Sequence, residues 1–384
     1  MGNPRILIVH NRYLIRGGEE QSQAAEVRLL RDHGVIVDEF FRDNSQVEVI
    51  GKMRTALRTI WSRSTYTEIR KILRSQKYDF VLVQNFFPLI SPSIYYAAAS
   101  ENIPVIQFLR NYRLLCLNAI FFREKHVCNL CLNKILCYPG IFYRCYRNSF
   151  LGSSVTALMI FAHRLIGTWG HKVDRYVALA EFSKRLFIKG GIPEEKIEIR
   201  PNFVHPDPGI GKGEGDFAVF VGRLSPEKGL NTLLDAWEKV GSKLTLKIIG
   251  EGDFSREVPG VEWLGKKSYT DVLSIIGQAT LLIFPSVIYE GFGRSIIEAY
   301  AKGTPVIASR MGTMQDLVID GVTGFHFHPG DCDDLAEKVD LIISDPQKLH
   351  RMRMNARQEY EQKYSGEAAY VRLMEILDGV RRSR

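Results

Sequence analysis

Short apolar runs recur along this chain, and most are followed by a segment whose apolar positions repeat at helical spacing. In the first half, runs at Arg5–His10, Val35–Phe41, Phe80–Gln84, Pro104–Leu109 and Arg175–Ala180 predict strands. In the second half, Phe217–Val221, Leu244–Ile249, Val261–Leu264, Leu281–Phe284, Pro305–Ser309 and Gly324–His328 predict six more. Strands alternating with helices imply parallel sheets covered on both faces. The expected fold class is therefore α/β, with two Rossmann-like, doubly wound parallel-sheet domains facing a cleft. The Pro/Gly-rich stretch 200–215 reads as a linker. It divides an N-terminal domain, 1–200, from a C-terminal domain, 201–365, with the polar, helical tail 366–384 beyond.

A length of 384 residues suits two domains, and 45% hydrophobic with 24% charged residues suits a soluble globular protein. Arg5–His10 starts too early for a secretory leader, and Gly2 lacks the Ser or Thr at position 6 that myristoylation requires. The apolar stretch Val155–Phe161 is broken by His163 and Arg164 and is too short to span a bilayer. The expected location is the cytoplasm.

The net charge of +8 is unevenly spread. Residues 1–200 carry 29 Lys+Arg against 17 Asp+Glu, and residues 201–384 carry 22 against 26. The basic half is where an acidic or membrane-bound partner is expected, and no nucleic-acid motif is visible. Within it, 52–77 holds eight Lys/Arg and one acid, Glu68. On a helical wheel Met53, Ala56, Leu57, Ile60 and Trp61 share one face, flanked by Lys52, Arg54, Arg58 and Arg63. That pattern fits an interfacial helix on an anionic membrane, on the inner face of the plasma membrane.

The densest chemistry lies in Glu290-Gly-Phe-Gly-Arg-Ser-Ile-Ile-Glu298. Two carboxylates bracket a glycine-rich turn between a strand and a helix, where backbone N–H groups point outward. A ligand rich in hydroxyls that also carries phosphate, such as a sugar nucleotide, suits it. Upstream, Gly222-Arg-Leu-Ser-Pro-Glu-Lys-Gly229 sets Arg223 and Lys228 just before a helix, where two cations can neutralise a diphosphate. Near the N-terminus, Gly17-Gly18 permits close backbone approach at a helix start. Five cysteines, Cys116, Cys128, Cys131, Cys137 and Cys145, crowd a loop-rich insertion at 116–147. Cys128-Asn-Leu-Cys131 has zinc-knuckle spacing, and a cytosolic cluster favours a structural zinc over disulfides.

The Glu290–Glu298 run, with Pro285-Ser286 before it and Ala299–Ser309 after it, resembles the E-x7-E signature of retaining GT-B glycosyltransferases of family 4. Gly222–Gly229 resembles that family's G-R-L-x-x-E-K-G motif, and Gly17–Glu20 its G-G-x-E loop. Gln84–Ser93 and Asn111–Cys116 resemble one bacterial subgroup with a cysteine-containing insertion. The resemblance runs from Arg5 to about Pro329. It implies that Glu298 binds the ribose hydroxyls and Glu290 a sugar hydroxyl. It implies that Gly291, Phe292, Gly293, Gly222, Gly17 and Gly18 hold donor sugar and phosphates, and that Arg223 and Lys228 stabilise the departing nucleoside diphosphate. It favours Cys116, Cys128, Cys131 and Cys145 as the zinc set and a tail that crosses back to the first domain.

The function implied is retaining, metal-independent transfer of a hexosyl group to a glycan or lipid-linked glycan in bacterial surface polysaccharide synthesis. No Asp-x-Asp metal motif is present. Gly250–Asp253 and Val261–Gly265 are expected to line the base pocket. The subgroup has His directly before Asn-Tyr-Arg, whereas this chain has Arg110. An arginine cannot act as a base near neutral pH but binds phosphate or a sugar hydroxyl. That departure keeps a non-catalytic nucleotide-sugar-binding protein as one rival; the other is an epimerase or phosphorylase on the same fold.

Overall fold

The computed structural model describes residues 4–14 and 17–384, so the reading at Gly2 lies outside the described residues. The chain divides into two compact units. One comprises Met1–Phe121, Cys128–Arg200 and Tyr370–Arg384; the other comprises Phe122–Val127 and Pro201–Ala369.

The first unit is built on β1 (Arg5–Arg12), β2 (Ile36–Asp43), β3 (Phe80–Asn85), β4 (Val105–Leu109), β5 (Arg175–Ala178) and β6 (Ile197–Ile199). They form one sheet in the order β2-β1-β3-β4-β5-β6, with every pairing parallel. β3 and β4 are buried along their whole length, as strands covered on both faces should be. The helix Gly366–Arg382 places Leu373, Ile376, Leu377 and Val380 in the core beside Ile6, Ile8, Leu82 and Val177.

The second unit carries β7 (Phe217–Val221), β8 (Thr245–Ile249), β9 (Val261–Gly265), β10 (Leu281–Phe284), β11 (Val306–Ser309) and β12 (Gly324–Phe327). Their order is β9-β8-β7-β10-β11-β12, again all parallel. Alternate residues feed two apolar cores, one on each face. Val219, Leu282 and Ala308 join Ile296 and Tyr300 on one side, whereas Ala218, Ile283 and Ile307 join Leu233 and Trp237 on the other. Burying one such large side chain contributes about 1.5–3 kcal/mol, so each doubly covered sheet is stabilised chiefly by its two apolar cores.

The expectation of two doubly wound parallel sheets is met, and the eleven expected strands all form. The sequence pattern missed β6, whose three residues Ile-Glu-Ile are too few for a periodic signal, and the short hairpin Phe122–Arg123/His126–Val127. The basic stretch 52–77 is two helices, Lys52–Ile60 and Arg63–Ser75, rather than one. Trp61 is extended, and the Ser62 side chain caps the second helix by accepting from the Thr65 N–H. No described helix is long and apolar enough to cross a membrane.

Candidate functional site

In the second sheet the strand order reverses between β7 and β10. Crevices beyond the carboxyl ends of strands at such a switch point are where doubly wound folds bind ligands. The two acidic motif positions and the basic loop all lie there. The 222–229 loop follows β7, and the 285–293 turn follows β10. They touch at Gly229, which sits at φ 73°. A Cβ there would lie 1.9 Å from the Pro285 carbonyl oxygen, so only glycine allows the approach. The Val287 N–H donates to the Glu227 carbonyl at 3.0 Å and the Ser286 hydroxyl to the same oxygen at 3.2 Å.

That stitching brings together residues 62 positions apart. Lys228 Nζ donates to Glu290 Oε1 at 2.6 Å, and the Ser286 hydroxyl donates to the same oxygen. Glu290 is buried, and its backbone carbonyl accepts from Thr313 Oγ1 at 3.2 Å. Arg223 is placed differently: its side chain is largely exposed, 3.4 Å from Glu227 rather than from either motif glutamate. Gly222 donates to the Ile249 carbonyl at 3.0 Å, and a Cβ on Gly250 would meet the Gly222 carbonyl at 1.8 Å. The loops after β7 and β8 are thus packed backbone to backbone.

Glu298 lies one turn inside the helix Arg294–Ala301 and is 4% exposed. Arg294 Nε donates to its Oε1 at 2.8 Å, and Arg294 Nη2 reaches the Tyr269 hydroxyl at 3.3 Å. Burial pushes the Glu298 carboxyl above the usual range, against the pull of Arg294. Burial, with Glu298 adding to it, lifts the Tyr269 phenol to about 12. Arg294 and Tyr269 were not singled out from the sequence. The i,i+4 spacing of Arg294 and Glu298 was the available signal for the first; nothing local pointed to the second. Between the glutamates, no described backbone acceptor takes the N–H groups of Gly291, Phe292 or Gly293, and Gly293 is the N-cap of the helix. A run of unpaired amides at a helix N-terminus binds anions.

In the first unit, Arg110 follows β4 and is buried. Its Nε donates to Gln84 Oε1 at 2.8 Å, and its Nη2 lies 3.7 Å from Glu26 Oε2. Glu26 is also held by Arg200 through two bonds of 2.8 and 2.9 Å. Gly17 caps the helix Gly18–Asp32, with its N–H donating to Glu20 Oε2 at 3.0 Å. A Cβ on Gly17 would meet nothing within 4 Å, so the protein's own packing does not demand glycine there. Around the carboxyl ends of β1 and β3, four buried polar atoms have no hydrogen-bond partner: both ring nitrogens of His10, Gln84 Nε2 and Glu19 Oε2. Glu19 Oε1 accepts from Asn111 Nδ2 at 3.0 Å, and burial pushes its carboxyl up. The sequence reading gave no role to His10, Glu19 or Gln84, because polar residues at strand ends and in a helix's first turn carry no periodic mark.

Of the cysteines expected to hold zinc, Cys116 and Cys131 are buried and Cys128 and Cys145 are half-buried. Cys116 Sγ donates to Asn118 Oδ1 at 2.9 Å. Cys131 is hydrogen-bonded to Cys137, the thiol left out of that set, which raises the Cys131 pKa and lowers that of Cys137. All six cysteines are free, and no group of three or more His, Cys, Asp or Glu among the described residues is arranged to hold a metal ion.

Residues 207–359 match the family model described as glycosyl transferases group 1. An uncharacterized glycosyltransferase of Methanocaldococcus jannaschii is 30% identical over 176 residues, 44% of this chain and 49% of that protein. A lipopolysaccharide 1,2-N-acetylglucosaminetransferase of Salmonella typhimurium is 29% identical over 178 residues, 41% of this chain and 46% of that protein. The chain spans about half the length of the relatives it matches. Among solved structures, Anabaena HepE in complex with UDP-glucose has a TM-score of 0.67 at 18% identity, covering 98% of this chain and 100% of the other. Sucrose-phosphate synthase of Thermosynechococcus elongatus has a TM-score of 0.70 at 15% identity, covering 100% of both. The fold is thus shared with these solved structures, and within the second unit residues 207–359 match the group 1 glycosyl transferase model.

Proposed function

We propose that the protein is a retaining glycosyltransferase that takes its sugar from a nucleoside diphosphate and needs no metal ion for transfer. The observation that carries this reading is the convergence of Glu290, Lys228 and the unpaired amides of 291–293 at the switch point of one sheet. The amides and Lys228 face negative charge growing on the leaving phosphate oxygen, and the exposed Arg223 adds a second cation. Glu290 orients Lys228 and offers its other oxygen to a sugar hydroxyl. Glu298, fixed by Arg294, accepts from the ribose hydroxyls. The departing phosphate itself takes the proton of the acceptor hydroxyl, so no general base from the protein is required.

The group 1 domain match and the likeness to a UDP-glucose-bound fold support a nucleotide-sugar donor. Relatives named for lipopolysaccharide and capsular polysaccharide synthesis support a glycan or lipid-linked glycan acceptor in surface polysaccharide assembly. In this reading Arg110, with Gln84, serves the acceptor side by binding an oxygen-rich group, and the protein works on the cytoplasmic face of the membrane.

Thermal-shift measurements over UDP-, GDP-, ADP- and dTDP-sugars test the donor class, because a ligand that binds only the native state raises its apparent stability. One base is expected to stabilise the wild type and to lose that effect in Glu298→Ala. No shift with any of the four would count against the proposal. Retention is read from the anomeric configuration of the product by NMR.

A further inference from the structure

The long helix Phe150–Leu165 packs against both Lys52–Ile60 and the short helix Tyr138–Phe142. Its His163 Nε2 lies 3.1 Å from the Ile60 carbonyl oxygen, and Arg164 Nη2 donates to the Leu114 carbonyl at 2.8 Å. The three helices are therefore fixed neighbours within the first unit. Each carries large apolar side chains that the fold does not cover. Met53 is 80% exposed, Leu57 68% and Phe142 78%. Leu151, Leu158 and Leu165 are exposed too, and their spacing of seven places them along one stripe of the long helix. Most of the large apolar side chains exposed among the described residues fall between Val49 and Trp61 or between Leu130 and Ile166. The helix Lys52–Ile60 buries only Thr59, so its apolar face does not seal the sheet.

The charge around this surface has one sign. From Lys125 to Val173 the sequence holds six Lys/Arg and no Asp or Glu, and 52–77 adds eight Lys/Arg against Glu68 alone. Protruding apolar side chains among cations with almost no acids fit one occupant: a bilayer with anionic headgroups, which takes the apolar tips into its interface and pairs with the cations.

We propose that these three helices form one membrane-docking platform, in which the cysteine-bearing insertion and Phe150–Leu165 act with the basic helix Lys52–Ile60. The platform contains none of the residues assigned to sugar transfer. Its test uses no sugar, so its failure and the failure of the transferase reading are separable.

The full-length chain is tested by flotation with vesicles of phosphatidylcholine alone and with 30% phosphatidylglycerol (about the anionic content that sets a strong surface potential). Wild type is expected to float with the anionic vesicles only. The triple variant Leu151→Ser/Leu158→Ser/Leu165→Ser should lose roughly tenfold or more of that partition. Its thermal midpoint should be unchanged, because the three side chains are exposed. The variant Arg144→Gln/Arg147→Gln should weaken binding and flatten its salt dependence without touching an apolar residue. Equal flotation of wild type and the triple variant would overturn the proposal. So would absence of wild-type binding, or a concentration-dependent dimer in light scattering that the triple variant abolishes, since a second copy would then be the occupant.

Discussion

Replacing Arg294 with methionine leaves Glu298 inside the second unit with its 2.8 Å partner gone. The side chain of Glu298 is only 6% exposed, so water cannot take over. The protein escapes by holding a proton on the carboxyl. Starting from an ordinary Glu pKa of about 4.3, at about 1.36 kcal/mol per unit, that costs at most about 3.7 kcal/mol at pH 7 and about 1 kcal/mol at pH 5, less the part the wild type already bears. The first figure sits within the roughly 3–5 kcal/mol seen when one partner of a buried ion pair is removed. For a unit of this size, about 2–4 °C per kcal/mol turns it into a fall of roughly 7–15 °C at pH 7 and roughly 2–4 °C at pH 5. The sign follows from burial. Glu298 is already raised in the wild type, so the folded state keeps its proton to higher pH than the unfolded chain does, and stability declines as pH rises above the ordinary carboxylate range. Losing Arg294 steepens that decline. Differential scanning calorimetry of both proteins at the two pH values reads it directly, with Arg294→Met/Glu298→Gln as the recovery control. Equal losses at pH 5 and pH 7, or a loss under about 2 °C at pH 7, would refute the electrostatic argument.

Gly229→Ala should cost about 2 kcal/mol or more, because it adds a Cβ at φ 73° against the Pro285 carbonyl; urea unfolding would register it as a lower midpoint. Glu19→Gln should flatten the loss of stability that its raised carboxyl imposes as pH climbs above the ordinary Glu range, so that the variant gains on wild type between pH 4.5 and 7 in urea titrations. Arg200→Met strips the doubly bonded partner from the fully buried Glu26 and should destabilise by about 3–5 kcal/mol, with Arg200→Met/Glu26→Gln recovering most of the thermal midpoint.

Much of the fold was written in apolar runs that parallel sheets bury on both faces. Phe217–Val221, Val261–Gly265 and Leu281–Phe284 could be located because nearly every residue in them is apolar or flanked by turn residues. The break at Trp61–Ser62 was less visible. Its cause is a side-chain cap, and the serine looks like any polar residue in a basic helix. The donor-side residues were legible as motifs, but their pairing was not. Lys228 and Glu290 meet because Gly229 lets two loops touch backbone to backbone, a tertiary fact without local signature. The same limit hid Arg294 and Tyr269 around Glu298. It also hid the contact of Cys131 with Cys137, six residues on, which no spacing rule marks. His10, whose ring nitrogens make no hydrogen bond, and Gln84, whose Nε2 makes none, lie at strand ends, where only the register of β1 against β3 brings them near each other.

The central claim is that Lys228 and Glu290 serve the departure of a nucleoside diphosphate. It is tested most directly by timing release of that diphosphate from the stabilising donor, with wild type, Lys228→Ala and Glu290→Ala at matched folded concentration. The account predicts slow release by wild type and a drop of roughly 10²–10³-fold in each variant. Undiminished release by either variant, or a stabilising donor that wild type never cleaves, would contradict it.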